Sequence, residues 1–300
     1  MEQNNNNDSL GTRMKQNYEN RSRYYLVRRM PVIIRIDGKA FHTFTKGFDK
    51  PYDELLINAM HTTMRALCEQ VQGCVLGYVQ SDEISLLLID YQALNTDAWF
   101  DNNLQKICSV SASIATLEFN KFMANISERY NVFGPIDPEE DPPFEKRREL
   151  LNMKQNKALF DSRAFNIPRE EVTNYFLWRQ QDATRNSIEG LGQAHFSANE
   201  LHKVTCNQIQ DMLMLQKGIN WNDQSTVEKR GACCIKVREE SGEYKQAGEV
   251  AGFVVTSTRS YWEIDTEIPI FSQDRDYIEK LLYPHTDDGI YSKYITQGDK

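Results

Sequence analysis

Long apolar runs are missing from this 300-residue chain. The strongest, residues 84–89, is far below the roughly 18 apolar residues that cross a bilayer, so no membrane-spanning segment is expected. Paired metal-binding motifs are missing as well. The six cysteines (Cys68, Cys74, Cys108, Cys206, Cys233 and Cys234) include no Cys-x-x-Cys pair, and no histidine stands at zinc-finger spacing. That argues against a disulfide framework and a structural zinc site, and leaves reduced core thiols. Positive charge is in deficit: 35 Lys and Arg against 43 Asp and Glu give a net charge of -8 and a pI near 5.3. A generic, salt-driven nucleic-acid binder carries the opposite excess, so an anionic partner would have to be held by focused contacts and metal ions. The opening residues, Met-Glu-Gln and then Asn4 to Asn7, have neither the basic and apolar regions of a secretory leader nor the Arg-rich character of a transit peptide. A cytoplasmic location is expected.

What the chain does have is two acidic clusters, each at the end of a short apolar run. Residues 31–36 (Pro-Val-Ile-Ile-Arg-Ile) read as a strand stopped by Asp37-Gly38. Residues 74–79 and 84–89 read as two strands joined by a turn that holds Ser81, Asp82 and Glu83. Between them Leu55, Leu56, Ala59, Met60, Met64, Leu67 and Val71 recur at three-four spacing, which predicts a helix over 52–71 with one buried face. A second helical pattern fills 99–124, and residues 158–165 read as a fourth strand. The order is that of a split βαβ, or ferredoxin-like, unit of the α+β class, in which the strands bearing Asp37 and Asp82 are neighbours. Asp-Gly is a common turn pair, and an acid-bearing hairpin turn is often only solvated. Two such clusters in this order bring three carboxylates together where repulsion calls for a cation, and Mg²⁺ is held by one or two carboxylates plus substrate phosphates.

Residues 1–8, Asn-rich and nearly without apolar side chains, read as a disordered tail. Residues 9–167 read as the catalytic half, with 128–148 as an exposed excursion because it holds Pro135, Pro138, Pro142 and Pro143 around an acidic run. Residues 168–300 read as a helical half packed on it. Pro168 with Glu170 and Glu171 suits a helix start, Tyr175, Trp178 and Asp182 follow at helical spacing, and Ser197 to Glu200 reads as another capping box ahead of a third helical stripe. Residues 232–236 and 248–256, separated by the polar segment 239–246, read as a terminal β-hairpin, and residues 274–282 as a last short helix.

Asp37 to Thr45, then Phe48-Asp49-Lys50-Pro51, and Tyr78 to Ser85 together resemble the signature segments of the tRNA(His) guanylyltransferase superfamily, the 3′–5′ nucleotide-adding polymerases. Leu10 to Lys15 with Tyr18-Glu19, Trp178 to Asp182 with Asn186, Gly218 to Asn222, and Lys229-Arg230-Gly231 extend the resemblance over residues 9–236. Where eukaryotic members carry His-Ile-Asn this chain has Thr184-Arg185-Asn186, and where they carry Lys-Pro-Asn-Asp it has Lys50-Pro51-Tyr52-Asp53. It is thus more similar to the bacterial and phage-like members, which the resemblance associates with template-dependent 5′-end repair of tRNA.

The resemblance implies a polymerase-like palm with two Mg²⁺ ions on Asp37, Asp82 and the Gly38 carbonyl, and Glu83 as a supporting catalytic carboxylate. It places a nucleoside triphosphate, GTP or ATP, against Asp37, Gly38, Lys39, Ala40, Phe41 and His42, with Ser81, Asp82, Lys50 and Asn186 as further nucleotide contacts. His42 reads as a packing or hydrogen-bonding residue more readily than as a general base. Arg179, Asp182 and Asn186 fall on one predicted helix face. Arg28, Arg29, Arg179, Arg185, Lys229 and Arg230 are the candidate tRNA contacts, although each basic cluster taken alone reads as a solvated face. The resemblance also implies a homotetramer. Two other functions stay open: addition of a single G before the first nucleotide of tRNA(His), and tRNA binding without catalysis.

Overall fold

The computed structural model describes residues 9–133, 144–245 and 253–283. The chain runs α1 (Leu10–Asn17), β1 (Val32–Gly38), α2 (Phe41–Phe44), α3 (Glu54–Gln70), β2 (Cys74–Gln80) and β3 (Glu83–Leu88). It continues with α4 (Leu104–Phe133), α5 (Phe144–Lys154), β4 (Phe160–Asn166), α6 (Arg169–His195), α7 (Cys206–Met212), α8 (Thr226–Arg230), β5 (Ala232–Lys245), β6 (Phe253–Asp265) and α9 (Asp276–Leu282). The strands form one six-stranded sheet in the order β4-β1-β3-β2-β5-β6, every pair antiparallel. The 31–36 run becomes β1 because it is apolar on both faces. Ile34 and Ile36 pack with Met64, Leu67 and Phe119 of α3 and α4, while Ile33 packs with Tyr78, Leu87 and Phe176 on the α6 side. A strand buried on both faces reads as a near-continuous apolar run. Among the described residues no helix is long and apolar enough to cross a membrane. All six cysteines are free, four of them buried.

The helix predicted over 52–71 begins two residues later, because the Asp53 carboxylate accepts from Leu55 N at 3.0 Å and caps it. The same carboxylate takes a two-pronged ion pair from Arg147, with nitrogen to oxygen distances of 2.7 and 2.9 Å, and Arg147 is only 4% exposed. Three expectations are corrected here. The excursion expected over 128–148 is helical at both described ends, in α4 and α5, and its centre, 134–143, lies outside the described residues. The basic run 146–148 is correspondingly not one solvated face, since Arg147 points inward to Asp53. The capping box at Ser197 and Glu200 does form, with Ser197 N to Glu200 Oε2 at 2.8 Å, but only turns follow it. The helix starts at Cys206 behind a second box of Thr205 and Gln208.

The hairpin is also longer than expected and sits in the main sheet. β5 pairs with β2 from Ala232 to Ile235 and then with β6 as far as Lys245, so the polar segment from Glu239 is strand. Beyond Ile235, among the described residues, β5 has only β6 beside it. Residues 1–8, 246–252 and 284–300, where the tail and part of the second hairpin strand were expected, lie outside the described residues.

Candidate active site

β1 and β3 are paired so that Asp37 lies opposite Glu83, and the two acidic segments leave the sheet side by side. Gly38 N donates to the Asp82 carbonyl at 3.1 Å, which ties the turns together, and Lys39 N donates to the Leu159 carbonyl at 2.8 Å. Each turn holds a non-glycine residue in the left-handed region, Ala40 at φ 54° and Ser81 at φ 49°. Such residues cost about 1–3 kcal/mol each and gather at functional sites. At Gly38 an added Cβ would stand 2.3 Å from the Phe41 ring, so the chain can turn tightly there only without a side chain.

Burial pushes the Asp82 carboxyl above its ordinary value, and the negative charge of Asp37 adds to this. Ser81 Oγ, donating to Asp82 Oδ1 at 3.1 Å, works in the opposite direction. Asp37 is 34% exposed and lies 4.0 Å from Arg163. Two adjacent carboxylates, one of them disfavoured as an anion, together with the Gly38 carbonyl are an oxygen donor set that suits a hard divalent cation. Among the described residues no group of three or more His, Cys, Asp or Glu side chains is placed to hold a metal. Phosphate or water oxygens would therefore complete the coordination.

Beside this corner opens a cavity of about 570 Å³, within the range of small-molecule and cofactor sites. The β1–α2 turn forms one wall, with Gly38, Ala40, Phe41 and His42, and the hairpin turn supplies Ser81 and Asp82. Lys50 and Tyr52 come from the connection before α3, Met60 and His61 from α3 itself, and Glu228 and Gly231 from α8 and its end. The facing wall is α6, with Ala183, Asn186, Ser187, Gly190, Gln193 and Ala194. Tyr52 Oη and Ser187 Oγ are 2.6 Å apart, and Trp221 Nε1 donates to the same Oγ at 2.9 Å. This clasp holds the Lys50 segment against α6. Burial raises the Tyr52 phenol and lowers the His61 imidazole, so both are neutral at pH 7. Tyr52→Phe removes the hydroxyl bond and is expected to lower stability by about 1 kcal/mol in chemical denaturation. A change below about 0.3 kcal/mol would show that the clasp holds nothing.

Of the residues singled out by sequence, Gly38, Ala40, Phe41, His42, Lys50, Ser81, Asp82 and Asn186 line this cavity together. Asp37 lies at its edge and Lys39 is exposed beyond it. Glu83 and Arg179 have other positions than expected. Glu83 is buried and its carboxylate is fully engaged, by Arg179 at 2.7 and 2.9 Å and by Arg35 at 2.6 Å. It anchors the turn and does not join the cation corner. Arg179 is 3% exposed and also bonds Asp182 at 2.9 Å, so it presents no surface to RNA. Arg185 is ion-paired with Asp182, and Arg28 stands within 3.6–3.8 Å of Asp90, Asp97 and Asp101. Arg29 is exposed, Lys229 donates to the Asn222 carbonyl at 2.6 Å, and Arg230 is half-buried. The expected single helix face divides: Arg179 turns inward, whereas Asn186 faces the cavity. Tyr52, His61, Glu228 and the small-residue face of α6 were not singled out. The steps of four, three and four from Ala183 through Ser187 and Gly190 to Ala194 are the signal that marks that face.

The family model described as "Thg1: tRNAHis guanylyltransferase" matches residues 11–168, more than half of the chain. This chain belongs to the tRNAHis guanylyltransferase family. Members are nucleotidyltransferases, and the protein is an enzyme of that class. A solved bacterial tRNA(His) guanylyltransferase-like protein in complex with ATP is 43% identical, with a TM-score of 0.72, covering 92% of this chain and all of that one. A second such structure, in complex with GTP, is 41% identical over the same shares with a TM-score of 0.68. A probable tRNA(His) guanylyltransferase of Drosophila melanogaster is 25% identical over 79% of this chain and 78% of its own length. The family match ends where α6 begins, and the similarity to the two bacterial structures and to the Drosophila relative extends beyond it.

Proposed function

We propose that this protein extends the 5′ end of tRNA in the 3′–5′ direction, copying a template, and so repairs truncated 5′ ends. The observation that carries this reading is the junction of the carboxylate corner at Asp37, Gly38 and Asp82 with a cavity of nucleotide size, in a chain similar to bacterial proteins that hold ATP and GTP. ATP joins its α-phosphate to the 5′-monophosphate of the RNA and releases pyrophosphate. The 3′-hydroxyl of an incoming nucleoside triphosphate then attacks the activated 5′ phosphate, and AMP leaves. Two Mg²⁺ ions, held by Asp37, Asp82 and the Gly38 carbonyl, would neutralise phosphate charge and stabilise the attacking and leaving oxygens.

The remaining roles belong to the chain. The turn from Ala40 to His42 offers backbone N–H groups to phosphate oxygens, and Lys50, which has no carboxylate partner among the described residues, adds a compact positive charge. Ser81 orients the Asp82 carboxylate through the bond already described, and Asn186 faces the nucleotide from α6. The strands β1 to β4 then serve as a polymerase-like palm, and assembly as a tetramer in the cytoplasm belongs to the same reading. The test is incubation with Mg²⁺, ATP, the four nucleoside triphosphates and a 5′-monophosphorylated tRNA lacking its first nucleotide. Extension complementary to the opposite strand is expected, and its absence beside a working control enzyme overturns the reading. Addition of G to intact tRNA(His) whatever base lies opposite would make this a strict guanylyltransferase. Binding of tRNA without any addition would make it a non-catalytic module.

A further inference from the structure

We propose that RNA phosphates next to the 5′ end are held by a patch of four lysines, Lys39, Lys46, Lys154 and Lys157, on the seam between the β1–α2 turn and the α5–β4 connection. The inference rests on the tRNA reading above and moves the RNA path away from most of the clusters that the sequence pointed to. Those clusters are largely engaged: Arg28 by three aspartates, Arg179 by Glu83 and Asp182, Arg185 by Asp182, and Arg147 by Asp53. Three of the four lysines are not. Among the described residues the side chains of Lys39, Lys46 and Lys157 have neither an ion pair nor a hydrogen bond.

The backbone brings these residues together beside the cavity. Lys154 Nζ donates to the Thr43 carbonyl at 3.3 Å and lies 5.4 Å above the Phe44 ring, which fastens the end of α5 to α2. Thr45 and His42, on either side of those two residues, line the cavity. The bond from Lys39 N to Leu159 places Lys39 beside the segment that carries Lys157. Burial lowers the Lys154 ammonium below its ordinary value, and the charges of Lys157 and Lys46 lower it further, so each of those two lies close enough to repel Lys154. Lys154 alone is accounted for as a cation at the C-terminal end of a helix. Its three neighbours are not, and in a chain with eight more acids than bases a group of lysines left without acids marks the seat of an external anion. Flexible point charges grouped outside the cavity suit backbone phosphates read without regard to sequence, which is the contact that positions a nucleic acid.

The test uses the full chain with Lys46→Glu and Lys157→Glu together, at two exposed positions without side-chain bonds. Binding of tRNA is measured across a salt series and binding of ATP alongside it. The affinity for tRNA is expected to fall about tenfold or more, and the slope of log affinity against log salt to fall in magnitude by about 1.5, the loss of two phosphate contacts. ATP affinity should change less than twofold, and the corresponding Lys→Arg pair should bind tRNA as the wild type does. Unchanged tRNA affinity and slope in the Glu variant overturn the patch. An equal loss of ATP binding assigns the lysines to the free nucleotide and also overturns it. Because binding is read without turnover, a wild type that binds tRNA but adds nothing removes the proposed reaction and leaves the patch standing. A wild type that binds no tRNA removes both.

Discussion

Asp82→Asn is expected to abolish nucleotide addition, by about 10³-fold or more, while the midpoint of thermal unfolding stays where it was or rises. The substitution keeps shape and volume and removes one charge. In the folded protein that charge is disfavoured, because the carboxylate is half-buried and has Asp37 beside it. Loss of the charge relieves repulsion, so the fold gains or is indifferent, whereas the oxygen set for divalent cations loses the member nearest the cavity. Asp37→Asn should impair addition as severely with a smaller effect on stability, since Asp37 is one-third exposed and has Arg163 within 4.0 Å. Single-turnover extension of a 5′-activated tRNA and a thermal melt of each variant decide the matter. Residual activity within tenfold of wild type in either variant would remove the carboxylate corner from the reaction, and a large drop in melting temperature would mean that Asp82 holds the fold.

That corner was legible in the sequence because each half of it is local. An apolar run that stops at Asp-Gly, and a pair of apolar runs joined by Gln-Ser-Asp-Glu, announce strands and turns within a few residues, and the helix between them fixes which strands are neighbours. What was illegible depends on partners distant along the chain. In the run from Lys146 to Arg148 all three residues look alike, yet Arg147 meets Asp53, 94 residues away, and turns inward. Glu83 adjoins Asp82 and shares its charge, but meets Arg35 of the neighbouring strand and, 96 residues on, Arg179 of α6. The segment from Glu239 carries no apolar alternation to announce a strand, and among the described residues beyond Ile235 only β6 lies beside it. The cavity wall on α6 was missed for another reason: small side chains that leave room for a ligand give no hydrophobic signal.

The second large effect is on stability, at Arg179. Its guanidinium meets both oxygens of Glu83 and one of Asp182, with Arg179 3% and Glu83 7% exposed. Removing one partner of a buried pair leaves the other as an uncompensated charge and costs about 3–5 kcal/mol. Arg179→Met should fall near the lower end, because Arg35 still reaches Glu83 at 2.6 Å. Glu83→Gln should cost less, since Arg179 keeps Asp182. The double variant, with no buried carboxylate left waiting for a cation, should be more stable than Arg179→Met alone, giving a coupling energy of about 1–3 kcal/mol in a double-mutant cycle by chemical denaturation. Additive losses would mean that the two side chains act through packing and not through charge. The pair also links the 81–83 turn to α6 two turns before Asn186, so it sets the distance between the carboxylate corner and the far cavity wall. Arg179→Lys keeps the charge but not the planar two-pronged grip. At a denaturant concentration where it remains folded, it should bind ATP more weakly and add nucleotides more slowly than wild type. A folded Arg179→Lys protein with wild-type affinity and rate would confine Arg179 to stability and detach it from the geometry of the site.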